Sequence, residues 1–367
     1  MPAPCTKLGR VTAQELRSAF PLLDRVAYLN AGTCGPVPGA AVEAARGELE
    51  DVAELGRYGP HFERLAELRA RQRAAYAERV GARPEDVALT TSTSDGVARV
   101  VAGLDLRRGD EIVTSDDEHP GLYGPLIAAR ERHHVRIRCV ALEHVADAIG
   151  PDTRLVACSH VGWVSGALAP AALAETDVPV LLDGAQGAGA VPVDVEALGC
   201  DFYAAAGQKW LCGPIGTGLL YVAPAMRERL HPVALAYGNL EEPSRGLAAT
   251  RFADARAHDT PAVSLESTAM AVAAHDTLAE FGWDEVYDRA RSLAGALAGR
   301  LRDRGFRVEP RGDTTLVAWR VDTPVAVRER LAAEGIIVRN LPLRPLLRAS
   351  VGAWNDEDDL GRLLDAL

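Results

Sequence analysis

Short apolar runs alternate with helical segments between residues 86 and 222, and this alternation limits the fold more than any other feature of the sequence. The runs are too apolar for strands that leave one face in water. Strands that alternate with helices form a mostly parallel sheet with helices on both faces, so we expect a doubly wound α/β architecture. The predicted strands span 87–90, 111–114, 135–141, 155–158, 178–182, 201–204 and 218–222.

The remaining sequence predicts flanking helices and a smaller α+β unit. A capping box from Thr12 to Glu15 opens a short first helix. Residues 224–262 are rich in Pro and Gly and read as loops. Helices are predicted over 39–56, 60–80, 263–281, 284–304, 324–334 and 355–366, and strands over 306–309, 315–321, 336–339 and 348–351.

Composition and charge exclude several classes of protein. The 367 residues carry a formal net charge of −11, which argues against nucleic acid or an anionic membrane as a partner. No run approaches the ~20 apolar residues of a membrane span, and the N-terminus lacks the apolar core of a signal peptide. The six cysteines show no metal-binding spacing, so we expect reduced thiols in a cytoplasmic protein and no metal site.

Lysine is almost absent from the sequence. Of 40 basic residues only Lys7 and Lys209 are lysines, and the other 38 are arginines. A lysine in the middle of such a chain suggests a task that arginine cannot perform, chiefly the formation of a Schiff base. The alternative is an accidental surface lysine, although the apolar neighbours of Lys209 are not those of a solvated charged face. Composition alone leaves both interpretations open.

Three polar features follow one another where a sheet of this kind binds ligands. The hydroxyl cluster 90–96 opens a helix, whose first N–H groups can hold an anion, although most such clusters are simple helix caps. Asp183 ends a buried strand, where it could cap a helix or face the ring nitrogen of a cofactor. Lys209 comes next and precedes a Gly-rich turn. In this order the three features form the set that pyridoxal 5'-phosphate (PLP) requires.

The stretch 208–222, which begins Gln-Lys-Trp-Leu-Cys-Gly-Pro, has Asp183-x-x-Gln186 upstream of it. Together they resemble the class V aminotransferase and cysteine desulfurase superfamily of fold type I PLP enzymes. The resemblance runs from Tyr28 to the final helix, and it implies a homodimer with active sites at the subunit interface. It also implies an α/β fold, the PLP-dependent transferase type I fold, with a large domain over 26–245 and a small α+β domain over 1–25 and 246–367.

The resemblance assigns cofactor contacts to the residues that match the family pattern. Lys209 would carry PLP as an internal aldimine, and Asp183 would keep the pyridinium nitrogen protonated so that the ring acts as an electron sink. His119 would stack on the ring, and Gln186 would hydrogen-bond the phenolic oxygen. The remaining expected contacts, mainly to the phosphate, come from Thr93, Ser94, Asp95 and Gln208.

The substrate contacts implied by the resemblance lie at the two ends of the chain. Arg348 matches the arginine that grips the substrate α-carboxylate, for which a planar bidentate guanidinium is well suited. Arg339 and Asn30 are expected to line the same site. Without the resemblance, Arg348 would be one arginine among 38.

Several positions depart from the family pattern. Ala206 and Gln208 stand where many relatives carry a serine and a histidine, and Trp163 stands where an asparagine is frequent. The stretch 339–348, which would hold the mobile persulfide cysteine of a desulfurase, has two prolines and no cysteine. The segment 258–260 is an imperfect counterpart of the phosphate contact that the partner chain usually supplies.

The resemblance implies a reaction at Cα of an α-amino acid, with the amine of Lys209 as the base. The first hypothesis is aminotransfer or a related Cα reaction such as epimerisation, because the motif after Lys209 resembles isopenicillin N epimerase-like members. The second is β-elimination from a cysteine derivative by a C–S lyase that lacks the persulfide cysteine. A non-catalytic PLP-fold binding protein is disfavoured, because the lysine, aspartate, glutamine and ring-stacking histidine are all present. The substrate stays open.

Overall fold

The computed structural model describes residues 11–367. The first ten residues, among them Cys5, Lys7 and part of the predicted small domain, lie outside the described residues. The helices are α1 Ala13–Ser18, α2 Gly39–Leu55, α3 Gly59–Arg79, α4 Thr93–Gly103, α5 Pro120–His133, α6 Leu265–Phe281, α7 Trp283–Asp303, α8 Pro324–Ala333 and α9 Glu357–Asp365. The strands are β1 Ala27–Tyr28, β2 Val87–Thr90, β3 Glu111–Ser115, β4 Arg136–Val140, β5 Thr153–Ser159, β6 Val180–Asp183, β7 Phe202–Ala206, β8 Gly218–Val222, β9 Leu240–Glu241, β10 Thr250–Arg251, β11 Leu316–Arg320, β12 Ile336–Ile337, β13 Arg339–Asn340 and β14 Leu346–Ser350.

Seven strands form the central sheet, in the order β2-β8-β7-β6-β5-β3-β4. The strands from β7 to β4 run parallel, and β8 runs antiparallel to both β7 and β2. The predicted mostly parallel sheet is therefore confirmed. Its parallel strands all end at one edge, which is where open sheets of this kind bind ligands.

Helices cover both faces of the central sheet, as the alternation predicts. On one face α4 and α5 pack through residues such as Val100 and Leu122. On the other face α3, α6 and α7 contribute Tyr76, Leu278 and Val286 to a larger buried cluster. Strands β2, β6, β7 and β8 are consequently buried at every position. No helix in the described part of the chain has the length and apolar character that a bilayer crossing requires.

A second sheet, in the order β11-β14-β13, is antiparallel throughout and forms the smaller unit. Its core joins Leu297 of α7, Trp319 of β11, Leu347 of β14 and Leu363 of α9. Strand β1 pairs with β12 in parallel, so the segment before the central sheet is attached to this smaller unit. The pairing brings the beginning and the end of the described chain to the same side of the molecule.

Three sequence predictions differ from the structure. The segment 306–309 is not a strand and holds only an isolated bridge at Val308, because Pro310 follows and cannot donate to a ladder. The predicted strand 336–339 is divided at Val338, since β12 pairs with β1 and β13 pairs with β14 of another sheet. Strand β4 is largely exposed rather than buried, because it lies at the sheet edge and carries Arg136 and Arg138.

The predicted boundary after residue 245 stays a prediction. The chain beyond it contacts the central sheet, since Thr260 donates its N–H to the carbonyl of Leu89 at 2.7 Å and Asp259 accepts the N–H of Leu89 at 2.8 Å. Asp259 also pairs with Arg69 and Arg73 of α3. The segment 258–260, expected as a counterpart of the partner-chain phosphate contact, is thus fixed to β2 and α3.

Candidate active site

Asp183 is the last residue of β6 and lies at the carboxyl edge of the central sheet. Its side chain is buried, and one carboxylate oxygen accepts the N–H of Ala185 at 2.9 Å. Turns rather than a helix follow it, so the alternative that Asp183 caps a helix is wrong. Burial raises the pKa of this carboxyl, and the positive charge of Lys209 opposes that rise. A buried carboxyl at such a position favours a cationic partner.

Lys209 follows β7, and hydrogen bonds to the backbone carbonyls of residues 208 and 209 fix its position. Its carbonyl accepts the N–H of Cys212 at 3.1 Å, and the preceding carbonyl of Gln208 accepts the N–H of Gly35 at 2.8 Å. A Cβ on Gly35 would lie 2.1 Å from the Lys209 carbonyl oxygen, so only glycine permits this approach. Burial lowers the pKa of the Lys209 amine to about 8, although Asp183 acts in the opposite direction.

Gln186 joins the turn after β6 to the turn after β1. Its side-chain N–H donates to the carbonyl of Gly32 at 2.8 Å, and its oxygen accepts the indole N–H of Trp210 at 3.0 Å. A Cβ on Gly32 would lie 2.8 Å from that oxygen and 2.9 Å from a guanidinium nitrogen of Arg348. The structure therefore brings Gln186 and Arg348 together, whereas the contact of Gln186 with a phenolic oxygen stays a prediction.

His119 caps α5 and also faces the site. Its Nδ1 accepts the N–H of Gly121 at 3.0 Å, so the ring carries its proton on Nε2. Burial lowers the pKa of His119 to about 4, and the nearby positive charges of Lys209, Arg339 and Arg348 act in the same direction. A neutral imidazole held at this edge is suited to lie against a planar ring.

The start of α4 supplies a group of free donors. Thr93 and Ser94 are the first two helical residues, and the N–H groups of a first turn have no acceptor within the helix. The hydroxyl of Thr93 and the side-chain oxygen of Gln208 are buried without a hydrogen-bond partner among the described residues. Asp95 donates its N–H to the hydroxyl oxygen of Ser92, and its carboxylate accepts from Thr91 and Arg99, so its expected phosphate contact stays a prediction.

Arg348 and Arg339 lie opposite each other on β14 and β13. Arg348 is 1% exposed and donates to the carbonyl of Trp163, and its Nε has no partner. Arg339 reaches the hydroxyl of Thr33 at 3.4 Å, and that hydroxyl donates to Asn30 at 2.8 Å. Within residues 11–367 neither guanidinium forms an ion pair with a carboxylate. Burial, together with Arg339, lowers the pKa of Arg348 to about 9, so the pair favours an anion.

Two acidic residues next to His119 were missed by the sequence reasoning. Glu118 is buried and accepts from the hydroxyls of Ser115 and Ser159, which ties the ends of β3 and β5 together. Asp117 accepts the hydroxyl of Ser165 at 2.7 Å and so holds the loop after β5. Burial raises the pKa of Glu118 to about 8 and also raises the pKa of Asp117. A signal was present, because three consecutive acidic residues follow a buried strand at the ligand edge.

The stretch from Arg339 to Arg348 forms a tight hairpin. Leu341 donates its N–H to the carbonyl of Leu346 at 3.0 Å, and the tip residue Leu343 has a φ of 58°. The hairpin contains no cysteine. Two cysteines elsewhere in the described part of the chain are accessible: Cys34 is half-buried in the turn after β1, and Cys139 is exposed. Cys139 is exposed because its strand, β4, lies at the edge of the central sheet.

Comparisons with known proteins agree with this geometry. The aminotransferase class V family model matches residues 27–363. The isopenicillin N epimerase of Streptomyces clavuligerus is 30% identical, over 96% of this chain and 97% of that protein. A probable cysteine desulfurase of Pseudomonas aeruginosa is also 30% identical, over 96% of each chain. The solved structure of a C-DES mutant with glycine covalently linked to its PLP cofactor has a TM-score of 0.88 and 28% identity, over 95% of this chain and 98% of that one.

Fold and site thus define a PLP-dependent enzyme with the α/β fold of the cysteine desulfurases. The chain belongs to the aminotransferase class V family.

The residues present fit PLP. The unpaired hydroxyl of Thr93 at a helix start suits a phosphate, and the buried carboxyl of Asp183 suits a protonated ring nitrogen. Lys209 supplies an amine whose pKa of about 8 leaves a reactive unprotonated fraction near neutral pH. Each of these three side chains therefore matches one functional group of the cofactor, namely the phosphate, the ring nitrogen and the aldehyde.

Proposed function

We propose that this enzyme acts at Cα of an α-amino acid, by aminotransfer or by a related Cα reaction such as epimerisation. The observation that carries the proposal is the buried guanidinium of Arg348, which has no carboxylate partner among the described residues. A buried, unpaired charge is costly, so the site favours a ligand that brings a carboxylate. The charge of Arg348 acts on both His119 and Lys209, so that carboxylate would lie close to the reactive amine.

Four kinds of contact would hold the cofactor. Lys209 would form the covalent link, Asp183 would pair with the ring nitrogen, and His119 would lie against the ring. Thr93 and Ser94 would donate to the phosphate from the start of α4. When bound, PLP supplies an electron-withdrawing ring that stabilises negative charge at Cα.

Lys209 is the residue that we propose moves the proton at Cα. The pKa of its amine is lowered to about 8 by burial, which brings the amine into the range where a general base works near neutral pH. His119 is a weaker base than Lys209, because its pKa is lowered to about 4 and its Nδ1 already accepts the N–H of Gly121. Arg348 would orient the substrate so that its Cα–H faces the amine.

A second candidate is elimination of a thiol or persulfide from a cysteine derivative. Its support is the likeness to C-DES, a cystine C–S lyase that was also solved with its product cysteine persulfide, at a TM-score of 0.87 and 28% identity. The hairpin from Arg339 to Arg348 lacks the cysteine that a desulfurase would need. Elimination and Cα exchange both begin with loss of the Cα proton, so the same residues serve either reaction.

The deciding experiment is a panel of L- and D-amino acids, cysteine and cystine offered to the PLP-loaded enzyme. Absorbance spectra report binding, chiral chromatography reports inversion, and assays for keto acids, pyruvate and sulfide report aminotransfer and elimination. Inversion, or formation of the keto acid that corresponds to the amino acid offered when a different 2-oxo acid is added as the amino acceptor, supports the first proposal. Formation of pyruvate and sulfide from cysteine or cystine contradicts the first proposal and supports the second candidate, elimination. Absence of any spectral change with every amino acid contradicts both.

We also propose that the enzyme is a homodimer. Large apolar side chains are exposed on neighbouring parts of the chain, among them Leu55, Tyr58 and Phe62 at the α2–α3 corner and Tyr237 and Leu247 in the loops after β8. Exposed apolar groups on this scale are typical of surfaces that a partner covers. Sedimentation velocity of the PLP-loaded enzyme at several concentrations tests this, and a monomer at all of them contradicts it.

A further inference from the structure

We propose that the indole of Trp163 is the fixed wall that limits the length of the substrate side chain, so that this enzyme acts on amino acids with compact side chains. The inference deepens the proposed function and rests on it. Trp163 lies in the loop between β5 and the turn at Gly166.

Trp163 touches both groups that would position a substrate. Its ring meets the imidazole of His119 edge-on, with ring centroids 5.2 Å apart and an interplanar angle of 89°. Its backbone carbonyl accepts a hydrogen bond from the guanidinium of Arg348. A substrate that placed its carboxylate on Arg348 and its Cα near the amine of Lys209 would therefore meet the indole beside His119.

The indole of Trp163 packs against a small apolar cluster. It packs against Val164 and against Leu341 and Leu346, which belong to the β13–β14 hairpin. The hairpin also carries Arg339 and Arg348, so the wall and the carboxylate contact form one packed unit. A side chain that pushed the indole back would have to displace the hairpin, and displacement of packed side chains is costly.

The loop that carries Trp163 is also fixed in its backbone. The carboxylate of Asp117 accepts the N–H of Val164 at 3.2 Å and the N–H and hydroxyl of Ser165 at 3.4 and 2.7 Å. Within the loop, Gly162 donates its N–H to Ala167 at 2.7 Å. The indole is thus held on both its side chain and its backbone, and it cannot swing aside to admit a longer substrate.

The test compares Trp163→Ala and Trp163→Phe with the unaltered enzyme, all loaded with PLP. Straight-chain amino acids of increasing length are used, and kcat/KM is measured together with the dissociation constant from spectral titration. Leu343→Ala is the matched control, because Leu343 lies on the exposed tip of the same hairpin and outside the apolar cluster against which the indole packs. Trp163→Phe keeps an aromatic ring, so it remains informative if the alanine variant does not fold.

We expect Trp163→Ala to raise the ratio of kcat/KM for long over short side chains by on the order of tenfold or more, and Trp163→Phe to raise it by less. Dissociation constants should shift in the same sense, with little change for the shortest substrate. An equal loss for all lengths, or the same shift in Leu343→Ala, overturns the inference and leaves the proposed function intact. If the unaltered enzyme binds no amino acid, the proposed function fails and the inference fails with it.

Discussion

The two halves of the active site are built on different supports and leave their charged groups in different states. The cofactor half (Thr93, His119, Asp183 and Lys209) lies at strand ends and helix starts of the central sheet. The substrate half (Arg339 and Arg348) lies on a hairpin of the second sheet. In the cofactor half the charges of Asp183 and Lys209 act on each other, whereas the two arginines of the substrate half form no ion pair in the described chain, and only the more distant charge of Asp117 opposes their repulsion at Arg348.

This difference indicates that the cofactor half and the substrate half have different roles. The cofactor half can keep its charges balanced before a substrate arrives, since Asp183 and Lys209 have opposite signs. The substrate half is unbalanced until a carboxylate arrives, because Arg339 and Arg348 repel each other. Changes in the first half should therefore alter chemistry and cofactor attachment, and changes in the second should alter substrate affinity.

The largest effect is expected from Asp183→Asn in the cofactor half. The variant should keep much of its PLP, because the lysine link and the phosphate contacts remain. Its turnover should fall by orders of magnitude, because an unprotonated ring is a poor electron sink. Steady-state kinetics and cofactor absorbance measure both quantities. Asp201→Asn is the matched control, since Asp201 is a carboxylate before β7 that accepts the N–H of Val180, away from the site. Near-normal turnover of Asp183→Asn with PLP bound would refute the role given to Asp183.

Arg348→Lys tests the substrate half and should act mainly on KM. Lysine keeps the charge but loses the planar pair of donors, so the substrate carboxylate should bind more weakly, by on the order of ten- to a hundredfold. PLP content should not change. The control is Arg344→Lys on the exposed tip of the same hairpin, where Arg344 donates to the carbonyl of Asp116 at 3.3 Å and lysine keeps the charge that acts on Asp117. Loss of PLP, or a fall in kcat at constant KM, would contradict the division between the halves.

A smaller effect is expected in the pH dependence of PLP uptake by the cofactor-free enzyme. Attachment requires the unprotonated amine of Lys209, so the rate should rise with pH around a midpoint near the pKa of about 8. The negative charge of Asp183 raises that pKa, so Asp183→Asn should move the midpoint to lower pH. Stopped-flow absorbance at a series of pH values measures the midpoint. A shift to higher pH in the variant would contradict the charge coupling within the cofactor half.

The smallest expected effect concerns an enzyme-bound persulfide, which should not form. We predict that no persulfide forms on the enzyme during turnover with cysteine, because the 339–348 hairpin is short, contains Pro342 and Pro345, and has no thiol to attack a substrate sulfur. Cys34 is the thiol most worth testing, because it is half-buried near Lys209, and Cys212 is buried. Trapping with a thiol-reactive probe and mass spectrometry decides. A persulfide on Cys34 formed at the rate of turnover would contradict this prediction and indicate cysteine desulfurase activity.

The cofactor half could be predicted from the sequence to a greater extent than the substrate half. Asp183 ends an apolar run and Lys209 stands alone among arginines, so both positions are visible in local sequence. The pairing of Arg339 with Arg348 depends on a hairpin whose strands belong to a sheet shared with β11, and local patterns do not show such pairing.

The positions that local patterns missed depend on contacts between distant segments. The predicted strand 336–339 fails at Val338, because the two halves of the run join different sheets. Glu118 and Asp117 stabilise the site through Ser159 and Ser165, more than 40 residues further along the chain. Trp163 is conspicuous in the sequence, yet its contact with His119 and the hairpin is visible only in three dimensions.

The most direct test of the central claim is to locate the covalent attachment of PLP. Borohydride reduction of the PLP-loaded enzyme, followed by proteolysis and mass spectrometry, reports which lysine carries the pyridoxyl group. The chain offers only Lys7 and Lys209, so the result is unambiguous. We predict the label on Lys209. A label on Lys7, or a native protein without the absorbance of a lysine-bound cofactor, would contradict it.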